Sequence, residues 1–169
     1  MLQLSPFTMA DADLLISWFD SEESLVQFAG PIFTYPLTRE QLAAHLEKPG
    51  RQFYNVVDEA SGAVIGHGEI AEVPGEPPKL TCLIIGDKTF RGKGLGKELT
   101  RRLVALAMEQ LQAEAVQLYV YDWNKNAFEL YRSLGFIINP EKELRTEVNG
   151  QSWLAYNMVL YKEPQATSR

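Results

Sequence analysis

The stretch Leu83-Ile-Ile-Gly-Asp-Lys-Thr-Phe-Arg-Gly-Lys-Gly-Leu-Gly96 runs from an apolar segment into glycines at alternate positions, Gly92, Gly94 and Gly96. That order reads as a strand entering a turn that opens a helix. Glycine tolerates positive φ and lets a ligand come close to the backbone. The first N–H groups of a helix lack intrahelical partners, and with the helix dipole they form an anion site. Arg91 and Lys93 add positive charge, so the segment is predicted to hold a phosphate or pyrophosphate. A Walker loop needs Gly, then four residues, then Gly-Lys-Ser/Thr. Here Lys97 stands five residues after Gly92, and Arg91 five after Gly86. The dinucleotide pattern G-x-G-x-x-G is also missed, and the segment lies mid-chain.

Downstream, Leu95, Leu99, Leu103, Leu106 and Leu111 fall near one side of a helix, with Lys97, Arg101 and Arg102 facing outward. Ala115 to Tyr121 is strand-like. Ala127, Leu130, Tyr131 and Leu134 mark another helix, closed by Gly135. Phe136 to Asn139 and Leu144 to Val148 are strand-like, and Asn149-Gly150 is a hairpin signal leading into Trp153 to Tyr161. Upstream, residues 2–7 read as a strand and Asp11 to Asp20 as an amphipathic helix. Ser21 to Pro36 lacks a clean period and reads as a loop or short helical turns. Thr38 with Gln41 resembles a capping box opening a second helix, whose inner face is Leu42 and Leu46. Gln52 to Asp58, Ala63 to Val73 and Leu80 to Gly86 are three strands. The expected order is strand, two helices, three strands, helix, strand, helix, two strands. That is a mixed α/β domain over residues 1–162, with a frayed polar tail at 163–169.

At 169 residues, 46% hydrophobic and 22% charged, the chain suits one domain with a real core and is too apolar for disorder. No run approaches the ~20 apolar residues of a membrane span. Met1 to Ala10 shows no basic segment followed by an apolar one, so a cytoplasmic protein is expected. The single cysteine, Cys82, excludes an intramolecular disulfide and a multi-cysteine zinc site, and no metal centre is expected. Sixteen Lys and Arg against 22 Asp and Glu give a net charge of −6, which argues against a nucleic-acid partner. A local anion site in an acidic field suits cationic substrates.

The run Arg91-Gly-Lys-Gly-Leu-Gly96 after an apolar strand is followed, one strand later, by Asn124-Lys-Asn-Ala-Phe-Glu-Leu-Tyr131-Arg-Ser-Leu-Gly-Phe136. Together, in this order, they resemble the GNAT superfamily of N-acetyltransferases, and the element order of nearly the whole chain agrees. The resemblance implies a largely antiparallel mixed sheet, splayed near acetyl-CoA and flanked by helices. It implies that Arg91, Gly92, Lys93, Gly94, Leu95 and Gly96 wrap the cofactor's pyrophosphate. Leu83, Ile84 and Ile85 would pair along the pantetheine arm, with an amide of that strand polarising the thioester carbonyl. Asn124 would contact the cofactor, cap its helix, or do both. Tyr131 would protonate the departing thiolate as general acid, a role a phenol with a pKa near ~10 can fill; alternatively its ring is core.

The attacking amine must also lose a proton. Many family members carry a carboxylate on the strand before the glycine loop, and Leu80 to Cys82 offers none. Glu69 and Glu72 remain, with His67. His67 and Glu69 are two apart and share a strand face; Glu69 is taken as the base, against an ordinary solvated strand face or a structural hydrogen bond. Cys82 is expected to be an inert buried thiol, and His45 to face solvent or satisfy a cap. Trp18, Phe28, Phe33, Tyr35, Trp153 and Tyr156 would line the acceptor site or belong to the core, and Glu22 and Glu23 would recruit a cationic amine. The implied activity is direct acetyl transfer from acetyl-CoA, in a ternary complex, to a primary amine on a small molecule or a protein N-terminus. The rivals are a non-catalytic acyl-CoA-binding sensor or partner module, and a nucleotide-binding domain. Trp153 to Tyr161 would serve a homodimer interface or the core equally well.

Overall fold

The computed structural model describes residues 1–164. Its strands are β1 (Leu2–Pro6), β2 (Arg51–Asp58), β3 (Val64–Ala71), β4 (Lys79–Ile85), β5 (Ala115–Tyr121), β6 (Ile137–Val148) and β7 (Gln151–Tyr161). Its α-helices are α1 (Ala12–Ser17), α2 (Glu22–Ala29), α3 (Arg39–Leu46), α4 (Leu95–Gln110) and α5 (Lys125–Ser133). The strands form one sheet in the order β1-β2-β3-β4-β5-β7-β6. Every neighbouring pair is antiparallel except β4 and β5, which are parallel. The tail residues 165–169 lie outside the described residues.

Two of the three apolar clusters pack on the two faces of β4, and the third joins Val26 of α2 to Tyr121, Val148 and Ala155. Leu80, Leu83 and Ile85 of β4 join α4 and α5 residues such as Leu99, Leu103 and Phe128. Ile84 and Cys82 instead join Leu15, Leu25, Phe28 and Leu42 from α1–α3. Strand alternation places these two sets on opposite faces, and Cys82 shows where alternation breaks. His67 pairs with Ile84 but Glu69 pairs with Thr81, so Gly68 faces both Cys82 and Leu83. This β-bulge puts Cys82 at φ 54° and turns its side chain to the α1–α3 face.

The sequence expectation for 21–36 needs correction, because α2 is a full helix there. Ser21 caps it, accepting from the Ser24 N–H at 3.1 Å. Its buried residues Leu25, Val26, Phe28 and Ala29 stand at i, i+1, i+3 and i+4, one face of a helix only eight residues long that runs straight into the irregular segment with Pro31, Phe33, Tyr35 and Pro36. Only half of the expected capping box forms at α3: the Thr38 side chain accepts from Gln41 N–H, while the Gln41 amide ties Thr34 and Pro36. The two expected strands, Phe136–Asn139 and Leu144–Val148, are one, β6, which starts at Ile137 and is interrupted in its pairing between Ile138 and Glu143. Trp153–Tyr161 is no free edge. It lies in β7, paired on both sides, with Ala155, Met158 and Val159 buried, whereas β6 is the edge.

Candidate active site

The sheet opens where β4 meets β5. Their register consists of Lys79 opposite Gln117, backed by Gln117 N–H donating to Pro78 O at 2.9 Å. Beyond it the strands diverge, leaving the β5-side backbone of β4 without a strand partner. A cleft of about 910 Å³ fills the gap. Leu83, Ile84 and Ile85 form one wall, and Asn124, Ala127, Leu130 and Tyr131 from α5 and its cap form another. That volume is at the upper end of ordinary small-molecule sites, roughly 300–1,000 Å³.

The glycine loop closes one end of the cleft. Gly92 and Gly94 sit at φ 76° and 78°, and Gly94 is the N-cap of α4, so a residue with a Cβ would be strained at either position. The amides that follow Gly94 have no carbonyl behind them in the helix, and their residues, Leu95, Gly96 and Lys97, line the cleft. Arg91 bends back, its Nε donating to Ile85 O at 2.9 Å, which fixes the turn to the end of β4. Lys93 departs from the expected set. It does not line the cleft, and its ammonium stands 5.3 Å from the Phe90 ring centroid. Lys97, expected to face outward, lines the cleft with Lys88 and Lys79. The first turn of a helix points its side chains back past the cap, a direction that heptad spacing does not reveal.

Asn124 meets both of its expected placements: its Oδ1 accepts from Ala127 N–H at 3.3 Å, and the residue also lines the cleft. Tyr131 reaches the same wall from α5, its ring 5.9 Å from Phe136. Burial pushes its phenol up to about 12, so it holds its proton at neutral pH.

Glu69 lies elsewhere. Its side chain is 2% exposed, and it is not among the cleft-lining residues. His45 Nε2 and His67 Nε2 each approach one of its carboxylate oxygens at 2.9 Å, and Arg51 donates to Oε2 at 3.2 Å. An ionised carboxylate only accepts, so each Nε2 is the donor and each Nδ1 is left without a partner. Burial raises the Glu69 carboxyl, but the hydrogen bonds and charge of the two histidines outweigh it and bring it down to about 2. This corrects the expectation of a base in contact with substrate: the group is screened from the cleft and holds a proton too weakly. The structural hydrogen bond replaces the solvated face, and His67 does share the face. His45 is likewise no solvent or cap residue but 2% exposed, ringed by Phe33 and Phe53. The signal was available, since His45 follows Leu42 by three on the inner face of α3.

His45, Glu69 and Cys82 bring their ligand atoms within 4.8 Å of one another. Glu69 Oε2, the oxygen His45 uses, already receives Arg51, so a cation there would meet the guanidinium. Burial and the neighbouring Glu69 push the Cys82 thiol well up, which keeps it an inert thiol. Of the expected acceptor residues, Trp18 and Phe28 line the cleft, while Glu22, Phe33 and Tyr35 line a second cavity. Trp153 packs on Tyr121 and Trp123, and Tyr156 on Phe128. Asp20 is the one carboxylate in the cleft wall among the described residues.

Residues 1–137 match the family model described as an acetyltransferase (GNAT) domain. The chain belongs to the GNAT family. Among solved structures, this GNAT chain superposes on a spermidine N-acetyltransferase from Vibrio cholerae in complex with CoA and spermine, with a TM-score of 0.77. Identity there is 20%, over 95% of each chain, a likeness of fold. A spermine/spermidine N(1)-acetyltransferase of Bacillus subtilis is 31% identical over 61 residues, 36% of this chain and 40% of the relative. An N-terminal acetyltransferase complex ARD1 subunit homolog of Dictyostelium discoideum is 31% identical over 114 residues, 65% of this chain and 54% of the relative. The matches thus span about half or less of these curated relatives. No helix among the described residues of the GNAT chain is long and apolar enough to cross a membrane.

Proposed function

We propose that the protein transfers an acetyl group from acetyl-CoA to a primary amine by direct attack in a ternary complex. The observation that carries this reading is a single cleft holding three things together. They are an anion-binding helix start at Gly94–Lys97, an unpaired strand edge at Leu83–Ile85, and a protonated phenol at Tyr131. The loop would take the pyrophosphate, with Arg91, Lys88 and Lys97 supplying charge. The edge of β4 would pair with the pantetheine amides, and a backbone N–H beside the Cys82 bulge would polarise the thioester carbonyl. The amine nitrogen then bonds to that carbon, the C–S bond breaks, and the thiolate takes the Tyr131 proton. The phenol at about 12 is a weak acid, but the burial that raises it also raises a thiolate expelled beside it. The amine's own proton leaves to water at the mouth, where Asp20 stands. For Glu69 we propose a positioning role: with His45, His67 and Arg51 it anchors β3 behind the bulge.

Support for an amine acceptor comes from the named activities of the relatives. The test is a thermal melt with acetyl-CoA, CoA, ATP and NAD, followed by amine-dependent release of CoA. A ligand at about 100 times its Kd adds about 2.7 kcal/mol, or about 5–10 °C for a domain of this size. No shift with either CoA species overturns the reading. A shift without release by any amine favours the sensor alternative.

A further inference from the structure

Of the cations that line the cleft, Lys88, Arg91 and Lys97 belong to the glycine loop and the start of α4. Lys79 stands apart from them. It opens β4 at the other end, opposite Gln117, where β4 and β5 still pair. Lys79 and Ile85 are the two ends of the strand, about 20 Å apart at the usual rise, so a pyrophosphate on the loop lies out of its reach. Arg51, Ala71 and Lys79 are successive partners across β2, β3 and β4, and cross-strand partners share a face. Arg51 reaches Glu69 among the α1–α3 contacts, so Lys79 too projects to that side, away from α4 and α5. Its Nζ lies 6.0 Å from the centroid of the Tyr119 ring on β5, and both residues line the cleft.

Nothing in the fold compensates this amine. Among the described residues Lys79 makes no ion pair. The ring of Tyr119 is at the outer limit of a cation–π contact. Glu76, whose charge does reach Lys79, is already engaged by the Lys142 ammonium and the Gln117 amide. Glu69 is taken by His45, His67 and Arg51. Burial, and after it the charge of Arg51, hold the Lys79 pKa below the ordinary lysine value, and Cys82 and Glu76 offset this only in part. A desolvated lysine beside another cation is the usual form of a nucleophilic amine.

We propose that Lys79 is itself an acetyl acceptor, so that the protein charged with acetyl-CoA and given no amine acetylates its own Lys79 Nζ. The inference rests on the acetyl-CoA reading of the cleft and on no external amine. Lys79 lies three residues from Cys82 on the same strand, and the thioester carbonyl is placed beside the Cys82 bulge. The four-carbon stem lets Nζ swing along β4 toward it. The neutral nitrogen bonds to the acetyl carbon and the C–S bond breaks. The thiolate takes the Tyr131 proton, and the proton shed by the new amide returns to the phenol through water. Lys88 and Lys97 are primary amines of the same cleft, but they stand at the phosphate end, where the cofactor's own charge keeps them protonated. The product is an uncharged acetamide left in the space that an incoming amine would use, so the modification closes the acceptor half of the cleft.

The experiment incubates the full chain with acetyl-CoA and no amine, and follows intact mass and the acetylated peptides. Parallel arms add excess CoA, replace acetyl-CoA by acetyl phosphate, or use Lys79→Arg. Lys48, exposed and outside the cleft, reports uncatalysed acetylation in every arm. The expected result is one gain of about 42 Da, mapped to Lys79 at about ten times the rate at Lys48. Excess CoA suppresses it, acetyl phosphate does not reproduce the preference, and Lys79→Arg loses it while keeping the acetyl-CoA melt shift. No gain, equal labelling of Lys48, or labelling of Lys79 that persists under excess CoA overturns the inference, and the wild-type map decides this even if the variant fails to fold. If external amines are acetylated while Lys79 stays unmodified, this inference alone falls. If Lys79 is acetylated but no external amine releases CoA, it stands and the amine-acceptor reading falls.

Discussion

His45 Nε2 and Glu69 Oε2 lie 2.9 Å apart with both side chains 2% exposed, joining α3 to the middle of β3. The carboxylate stays charged there because His67 and Arg51 complete its coordination. A buried charge is tolerable only when it is paired and fully hydrogen-bonded. The cluster is therefore an all-or-none unit, and what it holds is the strand next to the Cys82 bulge.

Replacing Glu69 by Gln leaves the His45, His67 and Arg51 donors facing a neutral amide, and stability is expected to fall by about 2–4 kcal/mol. The acid limb carries a further signature. The Glu69 carboxyl sits at about 2 when folded, below the ~4.3 of an unfolded Glu. Its contribution is then fully present above that unfolded value and is lost as pH falls toward 2. Urea denaturation across this window should show a steeper loss for the wild type than for Glu69→Gln. Parallel curves would show that Glu69 is not held ionised.

Gly86 lies flat against Trp18: a Cβ there would fall 1.9 Å from the indole Cδ2. Gly86→Ala must push Trp18 out of the cleft wall, at about 1–3 kcal/mol in stability. The acceptor KM should rise and the tryptophan emission shift, with the acetyl-CoA melt shift retained.

Tyr131→Phe removes the proposed proton donor and little volume. Turnover is expected to drop by about two orders of magnitude while the acetyl-CoA melt shift is unchanged. With the phenol at about 12, the wild-type rate should show no alkaline loss from this group up to pH 10. Unchanged turnover in the variant would falsify the general-acid role.

Gly94→Val tests the loop. A Cβ at Gly94 meets no protein atom within 4 Å, so the cost comes from φ 78° and from blocking the amides. Folding should weaken by about 1–3 kcal/mol, the usual cost of such strain. The acetyl-CoA melt shift should vanish, with near-native circular dichroism.

The order of elements around the glycine loop was legible from residues 83–136, because strand alternation, glycine spacing and helix caps are local and leave local signatures. Asn124 as a cap and Gly94 as a helix start needed nothing beyond their neighbours in the chain. Helix α2 was missed because its period, Leu25, Val26, Phe28 and Ala29, spans only eight residues and is diluted by the irregular, proline-containing segment that follows it. The glutamate cluster was hidden for a different reason. Glu69 looked like a free base because its partners, His45 and Arg51, are 24 and 18 residues away and meet it only when α3 packs on the sheet. The sequence by itself determined the glycine loop, the strand that feeds it and the helix that carries Tyr131, since each rests on short-range backbone geometry. The tertiary structure alone decided which carboxylates are spent on holding the fold and which stand unpaired at a cavity, because charge compensation depends on distances between elements that the chain does not encode locally.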